Sequence, residues 1–490
     1  MRSCILAVDQ GTSSTKALLV DGAGEVRARA SAPLAVRHPG PGLVEQDAGE
    51  LLDSVRAAVA ACTAQADHLT VDGIGLSTQR ESVVLWDGAT GEPVAPLVSW
   101  QDHRGAARSA ELAGKGYAEL VRRRTGLPLD PMFSALKMAA LLDEHDPARD
   151  RAHRGELRLG TVDAWLLFHL AGVFATEAGN ASRTQLLDLA TGQWDAELLE
   201  LFDIPRRALP EVVASTGPFG GARGLPGVPD GVPVLAVLGD SHAALFAHAG
   251  WRRGTVKATY GTGSSVMTVA EAPGAAGGVC DTIAWSLGGG ATFAHEANIR
   301  SSGRTVTWLS DLFGLTPDEV IALGEASEAG EVTLVPAFGG LGAPWWDADA
   351  VPVVAGFGFE TGRGPLSRAA LESVAHQVDD VLRTFPGLHR VVADGGLSRS
   401  GPLMQLQADL SGIDVARSGH PDLSASGAAA LAGLVLDRWT TGDLEERADT
   451  RLEVFAPAWS DERRTAAVTR WHRSLRAARR LGARAQETTP

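Results

Sequence analysis

The chain has 490 residues, 44% of them hydrophobic, and a formal net charge of −15. That length is too great for one ordinary core and predicts two large domains. The acidic balance argues against nucleic acid as a main partner, because phosphate backbones recruit Lys and Arg. Three cysteines (Cys4, Cys62, Cys280) without a CxxC pair fit a reducing compartment and exclude a disulfide framework or zinc site. The apolar run before Asp9 is too short for a signal peptide. The longest apolar stretch, near residues 428–436, is short of the ~20 residues a bilayer span needs. A cytoplasmic protein with no membrane partner is expected.

Residues 6–21 hold two short apolar runs, each ending in an aspartate, around Gly11-Thr12-Ser13-Ser14. This reads as a β-hairpin whose glycine eases the turn. Its hydroxyls and N–H groups suit phosphate oxygens without a Walker loop. Lys16 adds positive charge, and Asp9 is placed to hold a magnesium ion directly or through water. An ordinary hairpin with a polar tip has the same pattern. A third strand follows at 25–30, and Asp47 caps a helix running to about Cys62. Residues 71–77 form the next strand and deliver Gln79, Arg80 and Glu81 at its C-terminal end, where open α/β sheets meet their ligands. Arg80 offers a fork of donors and Glu81 two acceptors, suited to adjacent hydroxyls; a surface ion pair is the competing reading. Trp100 can line a sugar pocket or pack in a core.

Residues 106–144 read as helices and loops, with Ser134 capping a helix to Leu142. Gly160 to Leu167 reads as a capped helix start, and Asn180 to Thr184 as a polar turn facing cleft or solvent. Residues 232–238 are a buried strand followed by Gly239-Asp240 and a helix. An aspartate there is placed for chemistry, or for a helix cap. The first domain is drawn over 1–245 and the second over 246–490. The second opens on Tyr260-Gly261-Thr262-Gly263-Ser264-Ser265 between β-prone runs, the grammar of the first hairpin repeated half a chain later. A polar turn at 301–304 enters a helix, residues 334–336 form a strand, and 338–347 form a Gly-rich loop. Residues 367–384 read as a helix and 390–394 as a strand ending in Gly395-Gly396, a junction where a nucleotide can approach backbone at a helix N-terminus. An Ala-rich helix spans 424–439. A basic helix at 461–484 is expected to pack on the second domain, with a frayed end at 486–490.

These segments together resemble the FGGY carbohydrate kinase family, most of all its glycerol kinase branch. The match runs nearly end to end, through Asp9 to Lys16, Gln79-Arg80-Glu81, Trp100-Gln101-Asp102, Asn180 to Thr184, Tyr260 to Gly263, Gly340 to Asp347 and Asp394-Gly395-Gly396. The resemblance implies an α/β fold of two actin-like (ribonuclease H-like) ATPase domains flanking a central cleft. It implies an ATP- and Mg2+-dependent transfer of phosphate to a polyol or sugar hydroxyl, and a homodimer or homotetramer. Carried over by motif, Asp240 matches the catalytic base and Arg80, Glu81 and Trp100 match substrate contacts. Thr12, Ser13, Lys16, Gly261, Thr262 and Gly263 match phosphate contacts; Gly303, Gly396 and Ser400 fall where the family meets the nucleotide; Asp9 and Asp240 fall at its metal. Glycerol kinases usually carry Tyr, Gln and Phe where this chain has Met132, Ser241 and Ser265, and Trp where it has Ala140. A roomier, more polar acceptor pocket follows, which leaves tetritols, pentitols and xylulose- or ribulose-type ketopentoses open beside glycerol. A non-catalytic actin-like nucleotide or sugar sensor is the reading from another class.

Overall fold

The computed structural model describes residues 2–66, 68–274, 277–288, 290–450 and 452–487. Its first large sheet has six strands, in the order Gly221–Ala222, Val232–Gly239, Leu69–Thr78, Arg2–Gln10, Ser14–Asp21 and Val26–Pro33. Arg2–Gln10 runs antiparallel to Ser14–Asp21 with Asp9 opposite Lys16, and parallel to Leu69–Thr78. That strand in turn runs parallel to Val232–Gly239. The central strand has no alternation because both faces are covered: Ile5, Leu6, Ala7 and Val8 are all fully buried.

The second large sheet repeats the arrangement. Thr255–Tyr260 pairs antiparallel with Ser264–Ala270 and parallel with Arg390–Asp394, which runs parallel to Asp414–Ser418. Gly290–Ile299 stands where Val26–Pro33 stands in the first sheet. Cys280–Leu287 and Leu452–Phe455 extend the two edges. Both expected hairpins form, closed by Gly11 N–H to Ser14 O and by Gly261 N–H to Gly263 O, each at 3.0 Å. The two sheets match the expected pair of actin-like domains.

Helix Ala48–Thr63 covers one face of the first sheet, with the Asp47 carboxylate accepting from the Gly49 and Glu50 amides. The other face is covered from far away in sequence by helix Leu423–Val435. Two glycines permit this. A Cβ on Gly75 would lie 2.4 Å from the Ala428 carbonyl oxygen, and one on Gly427 would lie 1.8 Å from that of Ala243. One apolar cluster therefore joins Ile5, Ala7, Ala236 and Leu238 to Met267, Trp285, Ala425, Leu431 and Trp439. The division drawn at 245/246 falls in the last turn of helix Asp240–Ala247.

Some elements differ from expectation. Residues 180–184 are no open turn: helix Ala178–Ser182 and the residues after it are buried, because Glu177 takes up the Gly179 and Asn180 amides and Ser182 bonds Thr282 across 100 residues. The strands Cys280–Leu287 and Gly290–Ile299 form a further hairpin that the sequence reading did not contain. The C-terminal helix runs Asp461–Glu487, beyond the expected frayed start at 486; residues 488–490 lie outside the described residues. It packs on the second half through Trp471, Leu475 and Ala478. Among the described residues no helix is long and apolar enough to cross a membrane.

Candidate active site

A cleft of about 700 Å³ lies between the two sheets at the ends of their central strands. The first half contributes Asp9, Lys16, Asp240 and Ser241; the second contributes Lys257, Thr259, Asp394, Arg417 and Asp422, among others. Asp9 ends the apolar run of its strand, and its carboxylate accepts from Ser77 Oγ at 2.8 Å. Burial pushes Asp9 up to about 6, and the nearby Asp240 charge adds to this against the Ser77 hydrogen bond and Lys16. Asp240 opens its helix at the end of strand Val232–Gly239, where its Oδ1 accepts from the Ser241 amide at 2.6 Å. Burial raises its carboxyl too, while the Arg80 guanidinium, 3.3 Å away through Nε, pulls the other way.

On the facing wall, burial lowers the Lys257 ammonium, which Asp394 partly restores. Asp394 meets His248 Nε2 at 3.0 Å. Burial opposes its charge, but the His248 bond and Lys257 outweigh it and hold its carboxyl below the usual range. At the mouth, Lys16 Nζ reaches Asp422 Oδ1 across the cleft at 3.1 Å. Among the described residues no three His, Cys, Asp or Glu side chains form a ready-made metal cage. Asp9 and Asp240 are two like-charged carboxylates raised by burial at one opening. A divalent ion suits such a pair if phosphate oxygens and water complete its shell.

The other side of Asp240 is a dry ion-pair network. Arg80 gives Nη1 and Nη2 to the two Glu296 oxygens at 2.8 and 2.7 Å. Arg183 Nε bonds Glu81 Oε1 at 2.6 Å, and its Nη1 lies 3.1 Å from Glu296. Glu81 holds this place with a left-handed φ of 61°, a strained conformation of the kind found at functional sites. Trp100 donates its indole N–H to Thr12 Oγ1 at 3.0 Å, tying the first hairpin tip to the turn after strand Leu97–Val98. Met132 packs beside Leu127, Phe133, Cys280 and Trp346. The Ser265 hydroxyl is buried without a hydrogen-bond partner among the described residues.

The structure thus brings together Asp9, Lys16, Arg80, Glu81, Asp240 and Ser241. Other expected contacts stand outside the cleft lining. Thr12 is engaged by Trp100. Gly261 and Gly303 pack on each other, with the Gly303 amide donating to Gly261 O at 2.9 Å. Lys257 and Thr259 of strand Thr255–Tyr260 line the cleft, and the tip residues Gly261, Thr262 and Gly263 follow directly after that strand. At the Gly395-Gly396 turn, Gly395, Ser398 and Arg399 line the cleft. Ser400 is taken up as a helix cap on the Leu403 amide and by Glu325. The sequence reading missed Lys257, Asp394, Asp422, Arg183 and Glu296. Lys257 carried a local signal, a lone charge inside a β-prone run, and Asp394 another, an acid ending an apolar strand before Gly395-Gly396.

Comparison with known proteins finds similarity along nearly the whole chain. Residues 4–247 match the model of the FGGY family of carbohydrate kinases, N-terminal domain, and residues 256–436 match its C-terminal domain. The chain is 39% identical to the apulose kinase of Pectobacterium atrosepticum over 97% of its own length and 98% of that protein. It is 40% identical, with the same coverage, to the glycerol kinase of Alkalilimnicola ehrlichii. Among solved structures, Plasmodium falciparum glycerol kinase with ADP matches with a TM-score of 0.91 at 27% identity, over 97% of this chain and 98% of that one.

Proposed function

The chain belongs to the FGGY family of carbohydrate kinases, a phosphotransferase acting on an alcohol group, and from that premise we propose how its cleft works and what it accepts. ATP places its phosphates among Lys16, Lys257 and Arg417. Asp9 and Asp240 would hold Mg2+, which would supply charge neutralisation there. The acceptor, a small polyol or sugar, lies on the other side of Asp240, against Glu81, Trp100 and the side chains of Met132, Ser241 and Ser265. Asp240 takes the hydroxyl proton as that oxygen attacks the γ-phosphorus, and ADP leaves with the bridging oxygen. Phosphoryl transfer needs little covalent help from protein, so most of the rate comes from alignment and charge stabilisation. Closure of the cleft keeps water from competing.

The observation that carries this reading is the placement of Asp240. One side faces a cleft of nucleotide size where Lys16, Lys257 and Arg417 stand among the carboxylates Asp9, Asp394 and Asp422, and the other faces a buried Arg–Glu network. The acceptor pocket favours a substrate with more hydroxyls than glycerol. Ser241 and Ser265 are small and polar, and the Ser265 hydroxyl has no hydrogen-bond partner among the described residues. Glycerol is the second reading, supported by the 40% identity to a glycerol kinase. A silent sensor is not favoured, because the base and the cations converge on one opening.

ADP formation across glycerol, tetritols, pentitols and ketopentoses tests the proposal. Turnover with at least one polyhydroxy acceptor above the glycerol rate is expected. Asp240→Asn should lower that turnover by about 10²–10⁴-fold with ATP binding retained by calorimetry. Binding without turnover on every acceptor, or an unimpaired Asp240→Asn, would overturn it.

A further inference from the structure

Glu296 lies on strand Gly290–Ile299 of the second half, fully buried. Arg80 and Arg183, which it joins, belong to the first half. All three nitrogens of the Arg80 guanidinium are engaged: two on Glu296, and Nε at 3.3 Å from Asp240. A guanidinium is planar and rigid, so fixing its fork on Glu296 also fixes the direction of Nε. Glu296 therefore determines where Arg80 meets the carboxylate beside the acceptor. Through Arg183 it also reaches Glu81, whose Oε1 is held at 2.6 Å. His242 Nε2, 3.3 Å from Arg80 Nη1, closes the remaining side.

We infer that Glu296 is a positioning residue of the reaction: it holds Arg80 against Asp240 and, by way of Arg183, holds Glu81, so that the acceptor pocket is complete only while the two halves of the chain are in register. The inference rests on the reading of Asp240 as the base. It gives the pocket a dependence on domain position that no residue of the first half supplies alone.

The test compares Glu296→Gln and Glu296→Asp with the unaltered enzyme, using whichever acceptor that enzyme phosphorylates. Glu296→Gln should lose on the order of 10²-fold in acceptor kcat/KM, with the Kd for ATP unchanged. Glu296→Asp keeps the charge but not the reach, so it should also lose acceptor kcat/KM, again with the Kd for ATP unchanged. A purely structural ion pair would alter stability alone. Should Glu296→Gln not fold, Glu296→Asp and Arg183→Lys carry the question: both should raise the acceptor KM and leave the Kd for ATP as it was. Unchanged acceptor kinetics in the folded variants overturns the inference. An unaltered enzyme without turnover on any acceptor overturns the underlying reading instead.

Discussion

At the scale of single residues, the raised carboxylates set opposite pH responses for stability and activity. Asp9 has its folded pKa near 6 against an ordinary value of 3.8. Between those values the folded chain binds a proton that the unfolded chain has released. The stability contributed by this group therefore falls as pH rises from about 4 to about 6 and is level above that. Activity should run the other way, since an ionised Asp9 is needed to hold a cation. The expected profile is a kcat/KM that climbs through pH about 6 and moves to lower pH as Mg2+ is raised. Asp9→Asn should flatten the stability slope, read as denaturant midpoint against pH, while activity is lost. A stability slope unaffected by Asp9→Asn would contradict this. Much of the site was legible at this scale because Asp9, Lys16, Arg80, Glu81 and Asp240 sit at strand ends beside turn residues. Their partners were not. Glu296 meets Arg80 across 216 residues, and no local pattern marks a carboxylate in a β run as the counter-ion of a distant arginine.

At the scale of elements, helix Leu423–Val435 is the part whose sequence and role were furthest apart. Its alanines and glycine read as a closely packing helix, which it is, but nothing in them named the surface. It lies on the first sheet and on helix Asp240–Ala247 at backbone distance, with Gly75 and Gly427 as the points of approach. Gly427→Ala puts a methyl group 1.8 Å from the Ala243 carbonyl oxygen, where only backbone movement can relieve it. Overpacking of this kind costs about 1–3 kcal/mol, occasionally more. The movement would reach Asp240, which opens the helix that Ala243 belongs to. Gly427→Ala should therefore lower the denaturant midpoint and kcat together, whereas Gly442→Ala, which meets only the Thr440 hydroxyl at 3.6 Å, should change neither. The repeated hairpins were readable because each pairs two β-prone runs with a glycine turn. The strands Cys280–Leu287 and Gly290–Ile299 were not, since the glycine-rich sequence between them carries no fixed spacing signal.

At the scale of the whole molecule, two similar sheets share one apolar cluster instead of merely touching. Domains joined by a small polar interface unfold apart. Here Ile5, Ala236 and Leu238 lose their cover if the second half melts, and Met267 and Trp285 lose theirs if the first does. Calorimetry should show one transition with the van't Hoff and calorimetric enthalpies in agreement; two resolved peaks would show that the shared cluster does not couple the halves. The two-sheet architecture was legible from the duplicated hairpin, but the helix exchanged between the halves was not, because its contacts are set by tertiary approach. The Lys16–Asp422 pair also spans the halves, at the rim of the opening, with Lys16 41% exposed. Such a half-solvated pair is worth at most about 1 kcal/mol, so it is a turnstile and not a lock. A visitor must outbid one carboxylate for one ammonium. A polyphosphate does this with charge to spare, a singly charged acid does not, and the departure of the spent nucleotide lets the rim neutralise itself again.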